Sequence, residues 1–247
     1  MPNVCREKAI RTVPDQTAID FIRVVVAGDL DGLTARLAAR PALATMSSHV
    51  GASRQESSSF FFTDIAHYLY AGDTPLHMAA AAFRRDVAAI LVGHGADCRA
   101  RNRRGAEPLH YAADANRSDP DAQASTIEYL VSIGADPNSL DRSGVSPLHR
   151  AVRTRSLAAV RALVDGGADV TLPNRAGSTP LHLAVQNTGR SGSGSTHARE
   201  QQAGIIRFLL ERGARPRDHD GRGKSVHEAA SSEWIRTLLK AVQPDSD

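Results

Sequence analysis

The chain has 247 residues, 41% of them apolar but only 4% aromatic, and a formal net charge of +3. That length allows one or two globular domains or one elongated array, and an alanine-rich, aromatic-poor composition suits thin helical layers more than one large aromatic-filled core. No apolar run reaches the ~18 residues of a membrane span, the two cysteines (Cys5 and Cys98) form neither a metal-ligand spacing nor a disulfide framework, and the mild excess of arginine lacks the concentrated stripe that nucleic-acid binding usually needs.

Residues 1–14 form a tail with no apolar stretch of signal-peptide type, so a cytoplasmic location is expected. Residues 15–45 read as two short helices broken at Gly28–Asp29, with Leu30, Leu33 and Leu37 sharing one face. Residues 46–71 are an irregular insertion. Its first part, "MSSHVGASRQESSS" (46–59), is polar and reads as a mobile loop. Its second part holds Phe60, Phe61, Phe62, Tyr68 and Tyr70, five of the eleven aromatics in the chain.

A repeated phrase follows. "GDTPLHMAA" (72–80) returns as "GAEPLHYAA" (105–113), "GVSPLHRAV" (144–152) and "GSTPLHLAV" (177–185), and each copy is followed by an apolar stretch ending in "GHGAD", "SIGAD", "DGGAD" or "ERGAR". The PLH leucines stand at 76, 109, 148 and 181, giving steps of 33, 39 and 33. Thr74, Ser146 and Thr179 are good helix N-caps, and proline follows each at the first helical position, where its missing N–H costs nothing. Glu107 replaces the hydroxyl in the second copy, so a less firm helix start is expected there. Gly95, Gly134, Gly167 and Gly213 are expected to end the second helices in the left-handed conformation.

These phrases, at this period, resemble the ankyrin repeat. The resemblance implies an all-α solenoid of stacked helix pairs with β-hairpin fingers: four recognisable repeats (72–104, 105–143, 144–176 and 177–220) between a degenerate N-terminal capping pair (15–45) and a C-terminal capping repeat (221–243). From each GAD glycine to the next PLH leucine the distance is constant at 14 residues, whereas from PLH leucine to GAD glycine it is 19, 25, 19 and 32. The extra residues of repeats two and four therefore lie between their helices, in "DANRSDPDAQ" (114–123) and "NTGRSGSGSTHARE" (187–200), both read as loops. In the C-terminal unit, Ser225 and Glu228 have capping-box spacing; Trp234, Leu238 and Leu239 can close the stack, with Arg236 and Lys240 facing water. A different alignment there puts His227 in the PLH slot.

The four PLH histidines, His77, His110, His149 and His182, are one per repeat and so cannot form a single cluster. The resemblance implies that each bonds a neighbouring turn. No metal, cofactor, catalytic acid–base pair or nucleophile is expected: "RSGSGSTH" (190–197) and "GRGK" (221–224) lack the phosphate-loop pattern. What remains is a non-catalytic protein-interaction module, monomeric, away from membranes, whose partner is an unidentified protein. By the resemblance, contact candidates lie on the concave face and fingers. They are Arg101, Arg103, Arg104, Asp141, Arg142, Asn174 and Arg175 on the fingers, and Met78, Tyr111, Arg150 and Leu183 on the first helices. Phe61 and Phe62 join them, because three consecutive phenylalanines cannot all point into one core. The first reading of the block, ahead of a contact role, is packing that covers the first repeat. Likewise the arginines of "CRARNRRGAE" (98–107) are either a solvated hairpin tip or a comb for carboxylates or phosphates. Binding of an acidic protein or nucleic acid through that finger is the alternative, as is a bacterial effector acting on a host protein, which the alanine- and arginine-rich composition would fit.

Overall fold

The structure, a computed structural model, describes residues 16–53, 57–114, 119–186, 195–230 and 232–242. The expectations for the 1–14 tail, for Cys5 and for residues 54–56, 115–118 and 187–194 lie outside these. Twelve helices follow one another as six successive pairs among the described residues. They are α1 (Gln16–Ala27) with α2 (Leu30–Ala39), α3 (Pro75–Ala81) with α4 (Arg85–Gly93), α5 (Pro108–Ala112) with α6 (Pro120–Ser132), α7 (Pro147–Thr154) with α8 (Leu157–Asp165), α9 (Pro180–Ala184) with α10 (Thr196–Glu211), and α11 (Val226–Ala229) with α12 (Glu233–Val242). The first helices pack in one row, α1–α3–α5–α7–α9–α11, and the second in another, α2–α4–α6–α8–α10–α12. The larger helix contacts are all within a unit or between adjacent units, so burial is shared along the stack rather than gathered in one centre.

The repeated phrase explains this layering. In every copy the backbone N–H of the residue before proline donates to the PLH histidine Nδ1, from Thr74 at 3.1 Å, Glu107 at 3.1 Å, Ser146 at 3.4 Å and Thr179 at 3.2 Å. The opposite nitrogen, Nε2, donates to a carbonyl of the following finger: Ala106, Val145, Ser178 and Lys224, at 3.0–3.2 Å. A backbone N–H can only donate and a carbonyl can only accept, so each ring is the neutral tautomer protonated at Nε2. Each histidine thus starts its own helix and fastens the next repeat to it. With Glu107 in the cap position, α5 still begins at its proline in the same register.

Between these helix pairs the fingers are tight turns built on one residue apiece. The side-chain Oδ1 of Asn102, Asp141, Asn174 and Asp220 accepts from two N–H groups of its own turn, as in Asp141 from Ser143 (2.8 Å) and Val145 (3.0 Å). Adjacent fingers stack backbone on backbone, with Arg142 N donating to Arg104 O at 2.9 Å and Gly221 N to Ala176 O at 2.9 Å. Gly177 shows why glycine ends each finger. Its φ is +76°, and a Cβ there would lie 2.3 Å from Gly221 N.

The aromatic insertion is ordered where it is described. Residues 48–52 run alongside 69–73, with Ser48 N donating to Asp73 O, Gly72 N to Ser48 O and Ala52 N to Leu69 O. They are a strand-like partner of the first finger rather than the free loop that their polarity suggested. Beyond them Phe61–Phe62 (β1) pairs antiparallel with His67–Tyr68 (β2). Phe60, Ile65 and Leu69 are buried, Phe62, Tyr68 and Tyr70 are half-buried, and Phe61 is 37% exposed. Neighbouring strand residues face opposite ways, which is why the three phenylalanines divide.

Several other expectations need correction. Residues 120–123 belong to α6, because Asp119 caps it and Pro120 starts it. Residues 196–200 open α10, capped by Ser195. Leu30 is 41% exposed while Leu33 and Leu37 are buried, since residue 30 is the first of α2 and lies beyond the packed stripe. At the other end Glu228, not His227, occupies the PLH-histidine slot: it accepts from Ser225 N at 2.7 Å and completes the capping box. Ile235 and Leu239 seal the stack, with Trp234 and Leu238 half-buried. Arg236 Nε donates to Ala230 O at 2.8 Å while the side chain stays 42% exposed.

Candidate functional site

Tyr111 of α5, Asp114 just beyond it, and Arg150 and Arg153 of α7 line one cleft, and two fingers add Arg103, Arg104, Asp141 and Arg142. The insertion closes one side with His67 and Tyr70. Together they line a cleft of about 610 Å³.

At one end of the floor is a buried knot around Asp73, which follows the first finger glycine. Its carboxylate accepts from Tyr70 N (2.6 Å), Asn102 Nδ2 (2.8 Å) and the Tyr111 hydroxyl (2.8 Å). Burial first, and the Asp73 charge next, push the Tyr111 phenol well above its ordinary value, so it stays a donor. This knot ties the insertion, two successive fingers and α5 together.

Across the cleft, Arg150 forms a fork. Nη1 donates to Asp114 Oδ2 at 2.7 Å and Nη2 to Asp141 Oδ2 at 3.0 Å, with the arginine side chain only 11% exposed. Burial alone would raise the Asp114 carboxyl, but the hydrogen bond from His67 and the Arg150 charge outweigh it and hold that carboxyl below its usual range. For Asp141 the same burial is outweighed by the Val145 N–H and by Arg150. Burial would lower the Arg150 guanidinium, yet its two carboxylates raise it, so the ion triad stays charged. Arg150 Nε is buried without a hydrogen-bond partner. His67 reaches over from the insertion, Nε2 lying 3.6 Å from Asp114 and its ring centroid 4.5 Å from that of Tyr111.

The rim is different. Arg103, Arg104, Arg142 and Arg153 are exposed. Arg104 lies 4.0 Å above the Tyr70 ring, a cation–π contact, and Arg153 is 3.8 Å from Asp114. The aromatic row continues outward from Tyr70 to Tyr68 (6.2 Å between centroids) and to exposed Phe61 (4.7 Å further).

The candidates from sequence therefore separate. Arg103, Arg104, Arg142, Tyr111, Asp141 and Arg150 converge on the cleft, though the last three serve mainly as its foundation. Tyr111 is 2% exposed and Met78 fully enclosed, so neither is the open contact that its repeat position implied. For Met78 the cause is that α1, α4, α5 and the turn at 41–45 surround α3 on all sides. Asp141 and Asn174 have their Oδ1 atoms engaged in their own turns. Arg101 pairs with the buried Glu107 at 2.8 Å, and Arg99 donates to Gly134 O at 2.7 Å, so half of the arginine comb is tied down. Arg175 is exposed, and Leu183 half-buried, further along the groove. Phe62 is half-buried opposite His67.

Sequence reasoning passed over His67, Asp73, Asn102, Asp114 and Arg153. Asp73 and Asn102 carried a signal, since each is a polar residue at a fixed finger position; His67 and Asp114 carried none. Among the described residues, no group of three or more His, Cys, Asp or Glu is arranged to hold a metal ion, and no helix is long and apolar enough to cross a membrane.

Comparison with protein-family models gives two matches, one described as ankyrin repeats (3 copies) over residues 121–220 and one as ankyrin repeats (many copies) over residues 76–122. A comparison with curated proteins found no match.

Proposed function

This chain belongs to the ankyrin-repeat family, and from that premise we propose that it is a non-catalytic module that binds a partner protein along its concave face and fingers. Ankyrin repeats are generally protein–protein interaction modules. The observation that carries the reading here is the contrast within the cleft. Its floor is a buried network of hydrogen bonds and ion pairs among Asp73, Tyr111, Asn102, Arg150, Asp114 and Asp141. Its rim offers exposed Arg103 and Arg142 together with the exposed ring of Phe61. A rim held by a rigid foundation loses little freedom on association. A standard interface needs ~800 Å² from each partner, which the row of fingers can supply.

A photo-crosslinking amino acid placed at Arg142 tests this in lysate of the source organism. It should trap a discrete partner, whereas the same group at Arg207, exposed on the outer helix α10, should not. Equal trapping at both positions, or trapping only at Arg207, would move the binding surface off the concave face.

A further inference from the structure

The cleft has an uneven charge distribution. On the floor one guanidinium, Arg150, is shared between two carboxylates, Asp114 and Asp141, and the Asp73 carboxylate, held by neutral donors, adds a further negative charge. Around it stand four rim guanidiniums, and the side chains of Arg103 and Arg142 have no carboxylate within ion-pair distance among the described residues. The aromatic row of the insertion leads into this rim. Phe61 rests on Tyr68, and Tyr70 lies beneath Arg104. Apolar surface and uncompensated positive charge therefore adjoin one another on one strip.

We infer that this strip recognises an acidic peptide segment of the partner, with a carboxylate side chain held by Arg103 and Arg142 at the cleft and an adjoining apolar side chain seated on Phe61. The inference rests on the concave-face reading above and adds the chemistry of what binds there. A guanidinium fork matches a carboxylate bidentately, and two forks converging on one cleft select an anion at one position. A nucleic acid has the opposite requirement. Its phosphates recur along the strand and need successive cations. The fingers beyond the cleft offer Arg175 and then a turn of mixed sign, where Asp218 pairs with Arg215 at 3.1 Å and Asp220 stands among exposed Arg217, Arg222 and Lys224. Single strands also need open aromatic faces for their bases, whereas Tyr70 is covered by Arg104 and Tyr68 packs against Phe61.

The test uses the full chain and fluorescence anisotropy at low salt. The probe is a labelled short peptide of glutamates around one leucine; its glutamine counterpart and an oligothymidylate are the comparisons. The glutamate peptide should bind, and the glutamine peptide should bind about tenfold more weakly or not at all. Arg103→Glu and Arg142→Glu should each weaken the glutamate peptide by about tenfold, since each places like charges together. Arg207→Glu, an equal charge change on the outer surface, should leave binding unaltered. Circular dichroism of each variant checks that the helices are retained. No binding of the glutamate peptide, binding unaffected by the two cleft variants, or tighter binding of the oligothymidylate would each overturn the inference. Equal binding of both peptides that is still lost with Phe61→Ser would overturn the acidic assignment alone and leave concave-face recognition standing. Loss through Arg207→Glu in place of the cleft variants would overturn both.

Discussion

The Tyr111 hydroxyl donates to the Asp73 carboxylate at 2.8 Å, joining residues 38 positions apart across two successive repeats. Both are buried, and Asn102 Nδ2 reaches the two of them, at 2.8 Å and 2.9 Å. Because a buried carboxylate that loses a donor has no water to turn to, Tyr111→Phe should destabilise the protein by roughly 1–3 kcal/mol. Urea unfolding followed by circular dichroism measures this. An unchanged midpoint would mean that the knot contributes nothing to holding the first two repeats together.

The histidine links set a pH dependence. Burial, the largest cause, and then the nearby Arg150 charge lower the His110 imidazole from its ordinary 6.5 to about 4, against the opposing pull of Asp141. His77 and His149 are lowered in the same direction, also mainly by burial. Between those values the unfolded chain binds protons that the folded chain refuses, so stability is full above about pH 6.5 and falls as the pH drops towards about 4. His110 alone would account for roughly 3 kcal/mol over that window. Asp114 and Asp141, lowered from 3.8, act in more acidic solution still and do not offset the fall. Urea midpoints measured from neutral to mildly acidic pH should decline steadily. A flat profile would contradict the neutral, carbonyl-bound state of these rings.

Three adjacent phenylalanines should behave unequally. Phe60 is buried and Phe61 is 37% exposed. Phe60→Ala should cost about 3–5 kcal/mol, as deletion of a core ring does, and Phe61→Ser much less. Thermal melts of the two variants compare them directly. Matching losses of stability would place Phe61 in the core and remove the apolar half of the proposed contact strip.

The helical stack was legible from the PLH phrases because its determinants are local. A cap, a proline and a histidine act within three residues, and each glycine acts at its own φ. Distances between phrases located extra residues but not their form, so Asp119–Pro120, a cap followed by a helix-starting proline, was read as loop. The cleft was less visible. Arg103, Arg104 and Arg142 could be named from finger position. The Asp73–Tyr111–Asn102 knot and the Arg150–Asp114–Asp141 triad join residues that only the stacking of repeats brings together. His67 gave no hint, since its role depends on the insertion folding back over α5. Burial of Met78 depends in the same way on the elements packed around α3.

Backbone amide chemical shifts of isotope-labelled protein, with and without the glutamate-rich peptide, test the central claim most directly. The account predicts changes confined to the groove, at the amides of Tyr70, Arg103, Arg104, Arg142 and Ser143, with the outer helices α6, α8 and α10 unmoved. Changes centred on those outer helices, with the finger amides unmoved, would contradict it.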